Sequence, residues 1–234
     1  MRRLRDVSEA ERIREAYARR AERGLDERYS LADPANRYLF RRRERSLLAL
    51  LKRRGLLPLA DKRILDVGCG NGEVLRDFLR YGAGPRLIAG VDLLPDRVSA
   101  AAVRTPPIAC SVGDATALPF PDATFDIALQ FTLLSSVLDD ETRRRIASET
   151  ARVLRPRGTL IWYDFIWNPG NRDVRGIGLS EVRALYPSCE FDASRVTLAP
   201  PISRRLARVS TTLCRVLEAV PWLRSHWLIA IQKA

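Results

Sequence analysis

Apolar positions along the chain change their spacing twice, and each change marks a different architecture. Residues 8–23 and 34–54 carry apolar side chains at helical spacing among arginines and glutamates. A Ser-x-x-Glu start at Ser8 and Glu11 and a stop at Gly24 bound the first helix, and Gly55 ends the second. From Arg63 onward, short runs rich in β-formers alternate with helical stretches: "RILDVG", "RLIAGVD", "PIACSVGD", "FDIALQF" and "GTLIWYDF". That alternation predicts a parallel sheet covered by helices. Asn-Pro-Gly-Asn punctuation at 168–171 predicts a loop, Ser180 to Tyr186 a short helix and "RVTLA" a sixth strand. Residues 202–220 read as one amphipathic helix and 226–233 as a last strand. In the helix, Leu206, Val209, Leu213, Val216, Leu217 and Val220 take apolar positions, and Arg204, Arg205, Arg208 and Arg215 polar ones. The chain divides into a basic helical lid or flank over 1–60 and an α/β domain over 61–234.

Composition narrows the class. A chain of 234 residues with 46% hydrophobic content can bury roughly 70–75% of its unfolded surface around one core. Four separated cysteines, Cys69, Cys110, Cys189 and Cys214, and a single histidine suggest neither a disulfide framework nor a zinc site. No metal is expected, and a reducing cytoplasm fits best. The N-terminus lacks an apolar signal core, and no run approaches the ~18 apolar residues of a membrane span. The expected location is cytoplasmic, at most peripheral to the inner membrane face, where the basic amphipathic helix near Trp222 would rest on anionic lipid. The net charge of +12 lies mostly at the N-terminus, where residues 1–60 hold 17 Lys+Arg against 9 Asp+Glu. "RRRER" at 41–45 is read as a solvated helix face, with a phosphate-binding patch as the alternative, and no aromatic residues are interleaved with it to stack bases.

The stretch "ILDVGCGNGEVL" carries the chemistry. Gly68, Gly70 and Gly72 follow the first strand and precede a helix beginning near Glu73, where backbone amides can approach a ligand closely. In a sheet of this type ligands bind beyond the carboxyl ends of the strands. A dinucleotide site of the G-x-G-x-x-G kind wants glycine where Glu73 stands. An acidic residue there suits a ligand with a cationic centre better than a diphosphate.

With its ordered partners this stretch resembles the first motif of class I S-adenosylmethionine-dependent methyltransferases. The second strand ends in "GVDLLPDRV" and the third in "VGDATALPFPDATFDIA". "ASETARVLRPRGTLIW" resembles the helix, turn and fifth strand of the branch that includes ubiquinone- and menaquinone-biosynthesis-like enzymes. The resemblance covers about residues 60–166. It implies a Rossmann-like, doubly wound, mostly parallel seven-stranded sheet with the last strand antiparallel, and S-adenosylmethionine as cofactor, leaving as S-adenosylhomocysteine. It places Asp92 on the ribose hydroxyls and Asp114 on the adenine amino group, with Leu93 and Ala115 lining the adenosine slot. Gly68, Cys69, Gly70 and Gly72 form the loop, Cys69 through its backbone, and Asp66 meets the ligand's ammonium.

A sulfonium methyl is already activated, so an in-line acceptor and its deprotonation are what remain to be supplied. "LQFTLLSS" offers Gln130 and Thr132, and Gln130 is assigned to the cofactor. "WYDFIWNPGNRDVRG" offers Tyr163, Asp164, Asn168, Asn171, Arg172 and Arg175; Asp164 is the candidate base, with Tyr163 beside it. His226 is read as a core residue. The expected reaction is methyl transfer to a small molecule of secondary-metabolite, glycan or quinone/lipid type, at oxygen, by a monomer or homodimer. The basic N-terminus, with Arg172 and Arg175, implies an anionic acceptor. DNA is not expected. RNA methylation and a non-catalytic cofactor-binding module are the alternatives, disfavoured because Asp/Asn-Pro-Pro-aromatic is missing after strand four and because the loop and both aspartates are kept.

Overall fold

The computed structural model describes residues 8–24, 30–168 and 170–234; Pro169, part of the predicted loop, lies outside them. Helix α1 (Glu9–Glu22) opens with the expected capping box: the Ser8 hydroxyl accepts from the Glu11 amide, and the Glu11 carboxylate accepts from the Ser8 amide. Helix α2 (Pro34–Arg53) starts with Pro34 after the Asp33 cap.

Seven strands follow: β1 (Ile64–Val67), β2 (Ile88–Asp92), β3 (Ala109–Val112), β4 (Phe125–Phe131), β5 (Leu154–Phe165), β6 (Cys189–Leu198) and β7 (Arg224–Lys233), in spatial order β3-β2-β1-β4-β5-β7-β6. The first five run parallel, and β7 is antiparallel to both β5 and β6. This is the doubly wound, mostly parallel sheet the sequence implied, its chain reversal at β1 where the order turns from β2 to β4.

Helices α3 (Glu73–Arg80), α4 (Pro95–Arg104), α5 (Asp140–Val153) and α6 (Leu179–Leu185) cover the sheet. On one face Leu47, Leu50 and Leu51 of α2 and Leu75 and Phe78 of α3 pack on Ile64, Ile127, Leu129, Ile161 and Leu228. On the other, Ile146 of α5 and Val182 of α6 pack on Ala128, Leu160, Trp162 and Ile229. The two N-terminal helices therefore play different parts. The second half of α2 belongs to the main core, whereas α1 crosses the strand ends, where Arg12 donates to the Ser136 carbonyl and Glu9 accepts from the Leu138 amide.

Two elements differ from the reading of the sequence. Residues 202–220 are not one helix: α7 (Pro200–Leu206) and α8 (Thr211–Glu218) are separated by a turn, because the Ser210 hydroxyl accepts from the Leu213 amide and starts a second helix. The sixth strand begins at Cys189 rather than at Arg195. Its early residues alternate: Cys189, Phe191 and Ala193 pack on the face covered by α5 and α6, while Glu190, Asp192 and Ser194 take the other face, where Asp192 accepts from Arg53, a period-two pattern of a half-buried strand.

Candidate active site

The glycine loop is built by β1 and clamped to β2. The amides of Gly68 and Cys69 both donate to the Val91 carbonyl, at 2.8 and 3.0 Å. Gly68 has φ +78°, and a Cβ there would lie 2.8 Å from Leu133 Cδ1; at Gly70, φ +52°, it would lie 3.1 Å from Arg97 Nη1. The left-handed backbone at both positions disfavours any side chain, and at Gly68 the close Leu133 adds a steric limit. The Gly70 amide donates to Asp92 Oδ2 at 2.8 Å, and Asp92 Oδ1 accepts from the Leu94 amide at 3.0 Å. Asp92 thus braces the loop as well as facing the space beyond it.

Asp66, at the end of β1, is the most unusual group. It is 1% exposed, and neither carboxylate oxygen has a hydrogen-bond partner. Burial, reinforced by the nearby Asp92 charge and opposed by Arg43, pushes its pKa up to about 8. Leaving a buried carboxyl unpaired is costly, and such groups concentrate where a ligand completes the pairing. Asp114 sits past the end of β3, its Oδ1 accepting from the Thr116 amide and hydroxyl, each at 2.8 Å.

Gly68, Asp92, Leu93, Asp114 and Ala115 line a single cleft of about 280 Å³ together with Phe131, Thr132 and Leu133 after β4. Ala10, Ile13 and Tyr17 of α1 form its opposite wall, and Val137, Arg145 and Ile146 close one end. Asp66, Cys69, Gly70 and Gly72 do not line this cleft; they are buried in and beside the loop that borders it. Cys69 turns its thiol inward, so that a Cβ on Gly90 would meet its Sγ at 2.9 Å. Thr132 holds φ +55° at the cleft, a left-handed conformation disfavoured for a β-branched residue. Its amide donates to the Tyr163 carbonyl at 2.7 Å.

Three expected site residues lie elsewhere. Successive residues of a strand point to opposite faces, so Tyr163 and Asp164 cannot serve one pocket. Tyr163 faces α2, stacked between Phe131 and His226 at 5.6 and 4.8 Å, with its hydroxyl 3.1 Å from Thr197 Oγ1; burial pushes the phenol up to about 12. Asp164 faces the opposite side, fully buried, and accepts from the amides of Ser135 and Phe165 at 3.0 and 2.8 Å. Burial raises its pKa to about 6 against the lowering effect of Ser135. Gln130 is buried beneath α5, where its amide donates to Thr150 Oγ1 at 2.8 Å, and does not line the cleft. His226 is a core residue, its pKa pushed down to about 3 by burial and then by Arg43. Arg175 bridges Asp140 and Glu181, and neither it nor Asn168, Asn171 or Arg172 lines the cleft.

Other residues were not anticipated. The apolar stripe Ala10, Ile13 and Tyr17 on α1 is legible from helical spacing, although its contact with the cleft is not. Arg97 of α4 lies 4.4 Å from the Tyr17 ring centre. Arg43 reaches from α2 to within 5.8 and 5.9 Å of the Phe131 and Tyr163 ring centres and 3.2 Å from Asp77. No local pattern marks it.

Residues 64–158 match the family model described as a methyltransferase domain. The 27-O-demethylrifamycin SV methyltransferase of Amycolatopsis mediterranei is 35% identical over 123 residues, 49% of this chain and 43% of that protein. The 2-methyl-6-phytyl-1,4-hydroquinone methyltransferase of a Synechocystis strain is 35% identical over 121 residues, 50% of this chain and 35% of that protein. The chain thus spans less than half the length of either relative. The YcgJ protein of Bacillus has the same fold, with a TM-score of 0.58 at 20% identity over 81% of this chain and 98% of that one. The glycine loop, the ordered aspartates and the sheet agree with these matches, and residues 64–158 form a methyltransferase domain of the class I S-adenosylmethionine-dependent kind.

Proposed function

We propose that the chain methylates an acidic hydroxyl of an apolar small molecule held between α1 and the strand ends. The residues fit S-adenosylmethionine. Asp66 offers an unpartnered buried carboxylate for an ammonium group, Asp92 an edge toward ribose hydroxyls, and Leu93, Asp114 and Ala115 a slot for the adenine. When bound, the cofactor supplies an electrophilic methyl group. The protein's part is to orient the acceptor in line and exclude water, an arrangement worth up to ~7–11 kcal/mol.

The observation that carries the reading is the character of the cleft's far wall. Ala10, Ile13 and Tyr17 make it apolar, and Phe131, Leu133, Val137 and Ile146 continue that lining around the cleft, with Arg97 and Arg145 as its cations. Among the described residues that line it there is no histidine and no lysine, and the carboxylates of Glu9, Asp92 and Asp114 already accept hydrogen bonds. An acceptor that ionises by itself, a phenol or enol, suits such a wall better than an alcohol needing a base. Support comes from the two relatives, whose names refer to a 27-O-demethylrifamycin and to a phytyl hydroquinone. The α2 cations Arg42, Arg43 and Arg53 are engaged with Glu218, Asp77 and Asp192, so the basic N-terminus gives little support to an anionic acceptor.

The test is transfer of labelled methyl from S-adenosylmethionine to a panel of substituted phenols, hydroquinones and aliphatic alcohols of matched size. Turnover that tracks phenol acidity supports the reading. Turnover of alcohols alone would overturn it.

A further inference from the structure

Outside the cleft, a second feature lies at the same edge of the sheet. Because β6 runs in the direction of β5, both antiparallel to β7, the segment carrying α7 and α8 leaves the sheet at the edge where the carboxyl ends of β1, β2 and β4 form the cleft. Helix α8 turns Cys214 and Glu218 inward. Its outward side, with the flanking turns, leaves Val209 (84%), Val216 (62%) and Trp222 (81%) exposed, and Leu213 and Val220 with them. Scattered apolar side chains on a surface need no explanation, but a stripe of five within one helix and its turns does.

Charge identifies what would cover it. The flank of α8 meets α2 in a pocket of about 210 Å³ lined by Arg37, Arg41, Arg42, Arg45 and Arg215. Residues 200–223 contain four arginines, Arg208 among them paired with Asp33 at the start of α2, and one acid of their own, Glu218. That acid is buried, accepting from Arg42 and the Tyr38 hydroxyl. The stripe is therefore apolar at its centre and cationic along its rim, with no exposed carboxylate on the segment to repel an anionic surface. A second copy of the chain is a poor occupant, since a two-fold contact would bring the same arginines together.

We infer that α8 docks on an anionic phospholipid bilayer, with Val216, Val220 and Trp222 entering the interfacial layer and Arg41, Arg45 and Arg215 meeting phosphate headgroups. Docked this way, the sheet edge that bears the cleft turns toward the surface that dissolves apolar acceptors. Binding to lipid does not depend on methyl transfer, so the two proposals stand or fall separately.

The test is co-sedimentation of the full chain with vesicles of phosphatidylcholine alone or mixed with phosphatidylglycerol, at low and high salt. Binding to the mixed vesicles only, weakened by salt, is expected. Arg41→Glu with Arg45→Glu, and separately Val216→Asp, should each lower partitioning roughly tenfold or more without changing the melting temperature, since all three side chains are exposed. Trp222→Phe should remove the blue shift of tryptophan emission on binding. Absence of binding to anionic vesicles, equal binding to neutral ones, or parental binding by Val216→Asp would overturn the inference. So would a dimer that Val216→Asp dissociates in the absence of lipid binding, which would assign the face to a second copy.

Discussion

The Arg97 guanidinium lies 4.4 Å from the centre of the Tyr17 ring, so the first helix of the described chain is tied to the helix after β2 across the mouth of the cleft. Contacts of this kind contribute ~0.5–2 kcal/mol, enough to bias a helix that is otherwise held there by Arg12 and Glu9.

Tyr17→Ala should therefore loosen the wall formed by α1. We expect the acceptor KM to rise several-fold and the affinity for S-adenosylmethionine to change less. Removing residues 1–23 should carry the same effect further, abolishing turnover while cofactor binding stays within a few-fold of the parent. A longer deletion to residue 45 is a poor experiment, because Tyr38 is 6% exposed and its loss would open the core around Cys214 and Leu198. Isothermal titration beside steady-state kinetics separates the outcomes.

Asp92→Ala removes a carboxylate that accepts from the Gly70 and Leu94 amides and lines the cleft. Charge-assisted bonds contribute ~1.5–3 kcal/mol each, so affinity should fall at least tenfold and the melting temperature should drop as the glycine loop is released. Unchanged affinity in a folded variant would refute the assignment of this residue to the ribose.

Proton release should accompany cofactor binding. The Asp66 carboxyl is raised from the usual 3.8 to about 8, first by burial and then by Asp92, so at pH 7 the ligand-free protein holds a proton there. A cationic ligand favours the ionised form and expels it. Calorimetry at pH 7 in buffers of different ionisation heat should register this release in the parent and none in Asp66→Asn. The sign for stability follows from the same shift. The folded state binds the proton more tightly than the unfolded chain, so this group's contribution is complete below pH ~4 and is lost as pH rises through about 8. The ligand-free parent should lose stability over that window relative to Asp66→Asn.

Asp164 should prove structural. Its two oxygens receive the Ser135 and Phe165 amides, and Asn can accept only one of these bonds, which costs ~1–3 kcal/mol for a buried donor left unpaired. Asp164→Asn should lower the melting temperature and leave the pH profile of turnover in place. A hundredfold loss of kcat at unchanged melting temperature would instead make Asp164 the base.

Much of the site could be read from local sequence, because its parts depend on spacing that survives without tertiary context. Glycines 68, 70 and 72 announce a loop that no side chain can share, and Asp66, Asp92 and Asp114 each stand at the end of a recognisable strand, where an α/β sheet places its ligands. The capping box at Ser8 and the helix stop at Gly55 are equally local. What the sequence could not decide is which face of a strand meets the cleft. The alternation of Tyr163 and Asp164 is visible in the chain, yet only the packing of α2 on one face and α5 on the other buries these two and Gln130 away from the cleft. The approach of Arg43 to Phe131, and of Tyr17 to Arg97, joins residues distant in sequence through helix placement, which no periodicity encodes. The break at Ser210 is local in kind but masked by a continuous apolar stripe, and the bond its hydroxyl accepts from the Leu213 amide decides it.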